Sequence, residues 1–171
     1  MFPADQITVF LGLGTNLGNR RANLRRAVTA LEQILTVQAI SPVYRTAPWG
    51  QPDQPYFLNL CLKIATSLAP LSLLAQLKTI ETNLGRRPSH RWGPRLIDID
   101  ILFYNGLILQ SDTLIIPHAC LAERAFVLAP LADLAPGLVH PQTGLSVGQM
   151  LAEVDATGVQ KLAQPLFKVE A

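Results

Sequence analysis

Two hydrophobic periodicities alternate along the first hundred residues and predict six elements. Strand patterns, in which apolar residues alternate with others or run continuously, cover residues 7–14, 37–44, 57–66 and 96–103. Helical stripes run from Leu24 to Leu35 and from Leu73 to Leu84. The order is β-α-β-β-α-β, which predicts an α+β, ferredoxin-like core: an antiparallel sheet with both helices packed on one face.

The parity of two strands predicts which residues face those helices. The even positions of 58–64 and the odd positions of 97–103 are uniformly apolar, so we expect both rows, Phe103 included, to pack under the helices. Phe57, Asn59, Asp98 and Asp100 should then share the opposite, open face. This expectation depends on the strand register.

The remaining third of the chain is predicted to add a hairpin and short helices. Asn105-Gly106 is a strong hairpin signal, with short strands at 107–109 and 114–116. A helix is expected over 121–134, interrupted at Pro130, and another over 146–154. The tail from residue 155 onward is weakly patterned, so we expect it to be loosely attached. With no internal repeat or linker, residues 1–171 are predicted to form one domain.

Composition and charge narrow the class of protein. Hydrophobic residues make up 49% of the 171 residues and charged residues 15%, which excludes a disordered chain. A net charge of +2 is too small to indicate a nucleic-acid surface. Cys61 and Cys120 stand among apolar neighbours, so buried free thiols in a reducing compartment are expected. The sequence has neither a signal-peptide pattern nor an apolar run of transmembrane length, so we expect a cytoplasmic protein without membrane contact.

The candidate chemistry centres on Asp98 and Asp100. Carboxylates two apart on one strand face repel each other unless a positive charge lies near them, and oxygen ligands suit Mg²⁺. A lone Asp-x-Asp is more often a solvated strand edge. Here it follows an arginine-rich segment, 86–95, with no acidic residue between Glu81 and Asp98. Because arginine matches phosphate oxygens, the combination indicates a nucleotide–metal site for phosphoryl transfer.

Several blocks together resemble one family. They are Gly12-Leu13-Gly14-Thr15-Asn16-Leu17-Gly18-Asn19, Tyr44-Arg45-Thr46-Ala47-Pro48, Asp53 to Asn59, Gly85-Arg86-Arg87, Arg91-Trp92-Gly93-Pro94-Arg95 followed by Asp98-Ile99-Asp100, and Ile116-Pro117-His118 with Arg124-Ala125-Phe126. In this order they resemble 6-hydroxymethyl-7,8-dihydropterin pyrophosphokinases of folate biosynthesis, over roughly residues 7–152. The resemblance implies a ferredoxin-like fold, small-molecule substrates and a monomer. It also implies that ATP donates its pyrophosphoryl group to the pterin hydroxymethyl oxygen, releasing AMP.

The resemblance also implies the roles of individual residues. Asp98 and Asp100 would hold two Mg²⁺ ions and, with Arg91 and Arg95, carry catalysis. ATP would be bound by Glu81, Arg87, Arg91, Trp92, Arg95, Ile101, His118 and Arg124. Arg86 and Arg87 both lie in the loop that closes over substrates in the family, and the sequence does not decide which of them reaches phosphate. The pterin would be bound by Gly14, Thr46, Ala47, Trp49, Phe57, Asn59, Trp92, Asp98 and Phe126.

Some positions depart from the family pattern. Phe57 stands where many members carry tyrosine, Ala47 replaces a usual proline, and Trp49 is larger than expected. Thr113 and Ala119 stand where some members carry an arginine and a tyrosine that contact ATP, so we expect the adenine and ribose contacts to differ from those members. Three alternatives stay open: a ligand-binding regulatory module, an RNA-binding sheet, and a pyrophosphokinase or phosphohydrolase with another acceptor.

Overall fold

A computed structural model describes residues 5–48, 53–90 and 93–168. The strands are β1 (Ile7–Thr15), β2 (Thr36–Ile40), β3 (Tyr44–Thr46), β4 (Phe57–Thr66), β5 (Asp98–Tyr104), β6 (Leu109–Gln110), β7 (Ile115–Ile116) and β8 (Val159–Lys161). The α-helices are α1 (Arg20–Glu32), α2 (Pro70–Asn83), α3 (Ala125–Leu134) and α4 (Val147–Glu153), with a 3-10 turn at Leu121–Glu123. None of the described helices has the length and apolar character needed to cross a bilayer.

The main sheet is antiparallel and confirms the predicted βαββαβ core. Its order is β5-β1-β4-β3-β8, with β2 also paired to β4. The predicted strand 37–44 is two strands instead, and both lie along the same edge of β4. The break falls at Ser41-Pro42, because proline cannot donate a ladder hydrogen bond. There the Ser41 hydroxyl accepts from the Cys61 backbone N–H at 2.9 Å in place of a ladder partner.

The main core lies between the sheet and helices α1 and α2, as predicted. Leu58, Leu60, Leu62, Ile64, Ile97, Ile99 and Ile101 pack there against apolar side chains of both helices. Each large apolar side chain buried in this way contributes about 1.5–3 kcal/mol. This layer fixes the faces of β4 and β5, and therefore the direction of the polar side chains between the apolar ones.

The expectation for Phe103 is wrong. The β1–β5 register shifts between Phe10 and Leu11, because Leu102 is an extra residue on β5. This bulge turns Phe103 to the face opposite α1 and α2. There Phe103 packs with Phe10 in a second core, which α3 and α4 cover. The face predicted to be open is therefore open only at the end that carries the aspartates.

The C-terminal third is more tightly attached than its sequence suggests. The hairpin pairs β6 with β7, so the turn at Asn105-Gly106 leads into it without forming its tip. Pro130 lies inside α3 without ending the helix. The tail is not loosely attached: β8 pairs with β3, and Leu166 is only 5% exposed in the main core. One cysteine also departs from expectation, since Cys61 is buried but Cys120 is partly exposed.

Candidate active site

A cleft of about 370 Å³ lies on the sheet face opposite α1 and α2. Strand residues that line it are Gly12, Gly14, Phe57, Asn59, Asp98 and Asp100. Residues of the surrounding segments that line it include Thr46, Arg86, Arg95, His118, Arg124 and Phe126. The prediction that the aspartates, Phe57 and Asn59 share one face is therefore confirmed.

The two aspartates stand beside glycines. Asp100 pairs with Gly12 across the β1–β5 ladder, and Asp98 pairs with Gly14. Because glycine has no side chain, β1 leaves the space next to both carboxylates open. Their side chains are 30% and 42% exposed, for Asp98 and Asp100 respectively.

The carboxyl group of Asp98 has a raised pKa. Burial raises its pKa most, the Asp100 carboxylate raises it further, and the net result is a pKa of about 6 despite the nearby arginines. Arg86 Nη2 lies 2.8 Å from Asp98 Oδ1, and Arg95 Nε lies 3.4 Å from Asp98 Oδ2. The Asp98 carboxylate is therefore partly desolvated and close to a like charge, and a further cation beside it would stabilise its ionised form.

This donor set fits Mg²⁺ in one of its usual binding modes. No group of three or more His, Cys, Asp or Glu side chains suited to a metal occurs in the described part of the chain, so an all-protein metal cage is not found there. Mg²⁺ is commonly held by one or two carboxylates together with waters and substrate phosphates. Asp98 and Asp100 offer that arrangement, facing a cleft lined by arginines.

Glu81 fixes the start of β5 and orients Arg86. Its carboxylate, 2% exposed, accepts from the Ile99 backbone N–H at 2.7 Å and from Arg86 Nη1 at 2.9 Å. Lys78 Nζ lies 3.5 Å from the same carboxylate. Glu81 is therefore neither an exposed helix-end charge nor placed to contact a nucleotide. It connects the loop after α2 to the aspartate strand.

Asn16 fixes the segment that carries Arg95. Its side-chain Oδ1 accepts from the Arg95 backbone N–H at 2.8 Å, and the backbone N–H of Asn16 donates to the Arg95 carbonyl at 2.9 Å. The hydroxyl of Thr15 donates to the carbonyl of Leu96 at 2.5 Å. These bonds tie the end of β1 to the approach to β5, and so they set where Arg95 enters the cleft.

His118 presents a hydrogen-bond donor to the cleft. Its Nδ1 accepts from the Cys120 backbone N–H at 3.2 Å, so the proton of the neutral ring lies on Nε2. Nε2 is 3.9 Å from Asp100 Oδ2. Burial lowers the pKa of His118, Asp100 opposes that change, and Arg124 adds to it. The ring is therefore suited to donate a hydrogen bond to an anionic oxygen.

The other end of the cleft combines aromatic and amide groups. Asn59 Nδ2 donates to Thr46 Oγ1 at 2.7 Å, which fixes the amide, and a Cβ at Gly14 would lie only 2.8 Å from Asn59 Oδ1. Phe57 and Phe126 line this end, and the Arg124 guanidinium lies 5.7 Å from the Phe126 ring centroid. A flat ring with polar edges suits such a pocket.

Not every residue in the sequence prediction reaches the cleft. The Ile101 side chain is 3% exposed in the core under α1 and α2, so it cannot contact ATP, and only its backbone could do so. Glu81 is likewise buried behind the site. Arg86 points into the cleft, whereas Arg87 is exposed on its loop. Trp49, Arg91 and Trp92 lie outside the described residues, and their roles stay predictions.

The structure adds residues that the sequence reasoning missed. Cys61, Cys120, Lys78 and Val127 also line the cleft. Cys61 could have been found, because it stands two residues after Asn59 on β4 and so shares its face. Lys78 precedes Glu81 by one helical turn, but nothing in the sequence connects α2 with the aspartates.

Comparison with known proteins identifies the family. Residues 10–136 match a family model described as 7,8-dihydro-6-hydroxymethylpterin-pyrophosphokinase. The chain is 45% identical over 155 residues to a 2-amino-4-hydroxy-6-hydroxymethyldihydropteridine pyrophosphokinase of Methylorubrum extorquens, covering 90% of this chain and 97% of the relative. It is 42% identical over 153 residues to the enzyme of the same name from Bacillus subtilis, covering 88% and 87%.

A solved structure supports the fold. A crystal structure of Plasmodium falciparum HPPK-DHPS superposes with a TM-score of 0.71 at 18% identity, over 86% of this chain and 43% of the other. The chain thus spans less than half of that longer protein, and the likeness concerns the fold alone. On the family model and the curated relatives, the chain belongs to the 7,8-dihydro-6-hydroxymethylpterin-pyrophosphokinase family and is a diphosphokinase of folate synthesis.

Proposed function

We propose that the cleft beside Asp98 and Asp100 is where this enzyme transfers the pyrophosphoryl group of ATP to the hydroxymethyl oxygen of 6-hydroxymethyl-7,8-dihydropterin. The products are the pterin diphosphate and AMP. One observation carries the proposal: a single cleft has arginines and a histidine around two carboxylates at one end, and aromatic and amide groups at the other. An anionic substrate and a flat heteroaromatic one would meet at the aspartates.

Asp98 and Asp100 would hold two Mg²⁺ ions together with the phosphates of ATP. When bound, these ions neutralise phosphate charge and lower the pKa of a coordinated hydroxyl. The raised pKa of Asp98 supports this assignment, because a cation would offset first the burial of its carboxylate and then the repulsion from Asp100. The open space beside Gly12 and Gly14 gives the carboxylates room for ligands.

Arginine and histidine side chains would bind and orient the phosphates. Arg95 is held by Asn16 at its backbone, so its guanidinium enters the cleft from a fixed point. Arg86 lies between Glu81 and Asp98 and can donate to an anion while Glu81 holds its other nitrogen. His118 would donate from Nε2, and Arg124 lies between the phosphate end and Phe126. Arg91 and Trp92 are proposed for ATP on the family pattern alone, as is Arg87.

The pterin would be held at the other end of the cleft. Phe57 and Phe126 would stack on its ring, and Asn59, fixed by Thr46, would bond its amide edge. Gly14 and Ala47 line the same pocket and leave room for the ring. Positioning the hydroxymethyl group against the phosphates is the main catalytic task of these residues, since phosphoryl transfer depends on alignment and charge stabilisation.

The test is AMP formation under saturating ATP and Mg²⁺, with and without hydroxymethyldihydropterin. We expect AMP and the pterin diphosphate in equal amounts, and almost no AMP without the pterin. If AMP forms only with a different acceptor, the pterin assignment is wrong but the proposed pyrophosphoryl transfer from ATP stands. No AMP with any acceptor would refute the proposal and favour a binding module.

A further inference from the structure

Three parts of the chain meet at one carboxylate on α3. Asp133 Oδ2 accepts from the hydroxyl of Tyr44 on β3 at 2.5 Å, and Asp133 Oδ1 pairs with Lys161 Nζ on β8 at 2.9 Å. Lys161 Nζ also lies 5.7 Å from the centroid of the Tyr44 ring. We call these three residues the Asp133 junction. Its members do not line the cleft.

The junction is partly withdrawn from water and well matched in charge. Tyr44 is 7% exposed, and the side chain of Asp133 is 26% exposed. Burial, followed by the hydrogen bond to Asp133, raises the pKa of Tyr44 to about 12, so its hydroxyl keeps its proton and donates. Hydrogen bonds to a charged acceptor are stronger than neutral ones, which makes this contact a rigid connection.

The junction connects two elements, β3 and α3, that each provide part of the wall of the pterin pocket. Tyr44 and Thr46 are two residues apart on β3 and both are buried, so they share a face of the strand. Phe126 and Asp133 are seven residues apart on α3, two turns, and so lie on one face of the helix. The contact between Tyr44 and Asp133 therefore joins β3 to α3 directly, and it contributes to the spacing between Thr46 and Phe126.

β3 is a short strand, so side-chain contacts such as this one add to its few ladder hydrogen bonds. It has three residues, and it is held by β4 on one side and by β8 on the other. β8 belongs to the tail, beyond residues 10–136, which match the family model. The tail is tied down by the Leu162 N–H, which donates to the Val43 carbonyl at 2.9 Å. Arg25 Nε donates to the carbonyl of Leu166 at the same distance.

We infer that Asp133 is a positioning residue for the acceptor: by joining β3, α3 and the C-terminal strand, it holds the pterin pocket at its working width. The inference rests on the proposed placement of the pterin between Thr46, Asn59 and Phe126. The Asp133 junction touches neither substrate, and it acts through the two walls. Arg86, Arg95 and the two aspartates, which are proposed for ATP and its metal ions, lie on segments that the Asp133 junction does not contact.

The test compares Tyr44→Phe and Asp133→Ala with wild type. Tyr44→Phe removes one hydroxyl and keeps the buried ring, so it folds even if Asp133→Ala does not. Asp155→Asn and Lys168→Ala, at exposed positions of the same tail, are the controls. The readouts are KM for pterin, KM for ATP, kcat, and the pterin dissociation constant from its intrinsic fluorescence, which needs no turnover.

We expect the pterin KM and dissociation constant to rise roughly three- to tenfold in Tyr44→Phe, and further in Asp133→Ala, because small misplacements of binding groups are costly. The ATP KM should stay within about twofold of wild type, and both controls should match wild type in all readouts. A residue needed only for stability would lower the melting temperature and leave the pterin constants of the folded enzyme unchanged.

A lower melting temperature with unchanged pterin constants, or an equal rise in the KM values for pterin and ATP, would overturn the inference. A failure of the proposed function is distinguishable. If wild type binds pterin but makes no AMP, the proposed reaction fails, and the binding constants still decide the role of Asp133. If wild type binds no pterin at all, the proposed function and the inference are both overturned.

Discussion

Replacing Gly14 with alanine tests how closely the pterin pocket is built around Asn59. An added Cβ would lie 2.8 Å from Asn59 Oδ1, and ordinary contact begins at 3.4 Å. The amide oxygen must therefore move by roughly half an ångström, and a shift of that size already changes van der Waals contacts in a packed site. Asn59 is only 7% exposed, and its Nδ2 bond to Thr46 Oγ1 is short, at 2.7 Å, so any shift of the amide compresses or lengthens that bond.

The expected loss of pterin affinity follows from the hydrogen bond between Asn59 Nδ2 and Thr46 Oγ1. Leaving a buried amide donor unsatisfied costs about 1–3 kcal/mol. If the pterin needs Asn59 in its present position, that cost appears as a weaker dissociation constant, by about tenfold for each 1.4 kcal/mol. We therefore expect Gly14→Ala to weaken pterin binding by about tenfold or more.

The assay is fluorescence titration of the pterin, with urea unfolding as a check on stability. Gly137→Ala is the matched control, because a Cβ there meets no atom within 4 Å. Gly12→Ala is the intermediate case: its Cβ would meet Leu102 Cδ2 at 3.3 Å, and the end of a leucine can give way. Pterin affinity in Gly14→Ala equal to that in Gly137→Ala would refute the reasoning.

Two further predictions concern other parts of the site. Phe57→Ala should weaken pterin binding by about 1–3 kcal/mol through lost stacking and burial. The same titration measures this loss, with the neighbouring Tyr56→Ala as control. Equal losses of ATP and pterin affinity would mean that Phe57 only packs in the fold. Glu81→Gln should lower the free energy of unfolding by about 1–3 kcal/mol, because Ile99 and Arg86 donate to different carboxylate oxygens and the amide replaces one of these with an NH2 donor. Urea unfolding measures this loss of stability, with Glu153→Gln at an exposed position as control. An unchanged unfolding midpoint would contradict the role of Glu81 in connecting the loop after α2 to β5.

Strand parity predicted the central part of the site because a two-residue period needs only local sequence. It placed Asp98, Asp100, Phe57 and Asn59 on one face, and the register of β1 with β4 and β5 brings them together. The same parity failed at Phe103, since a bulge depends on how β5 meets β1 and not on the alternation of apolar residues.

Contacts between distant segments could not be predicted in this way. Tyr44 and Asp133 are separated by 89 residues, and Lys161 follows Asp133 by 28, so neither pairing leaves a periodic signal. Glu81 lies near the end of a helical stripe, where the sequence pattern is typical of a solvated charge. Its burial results from the packing of α2 beside β5, which the pattern does not show. The segment that forms β8, Val159–Lys161, is too short to show a strand pattern, and it becomes a strand only because β3 pairs with it.

The account centres on Asp98 and Asp100 as the residues that hold the metal ions. The most direct measurement counts protein-bound Mn²⁺, a substitute for Mg²⁺ at oxygen ligands, by electron paramagnetic resonance with a non-hydrolysable ATP analogue and the pterin present. Asp100→Asn is compared with wild type, and Asp112→Asn, in the exposed turn between β6 and β7, is the control. We predict two ions per chain in wild type and in the control, and fewer than two in Asp100→Asn. Two ions bound to Asp100→Asn with wild-type affinity would contradict the account.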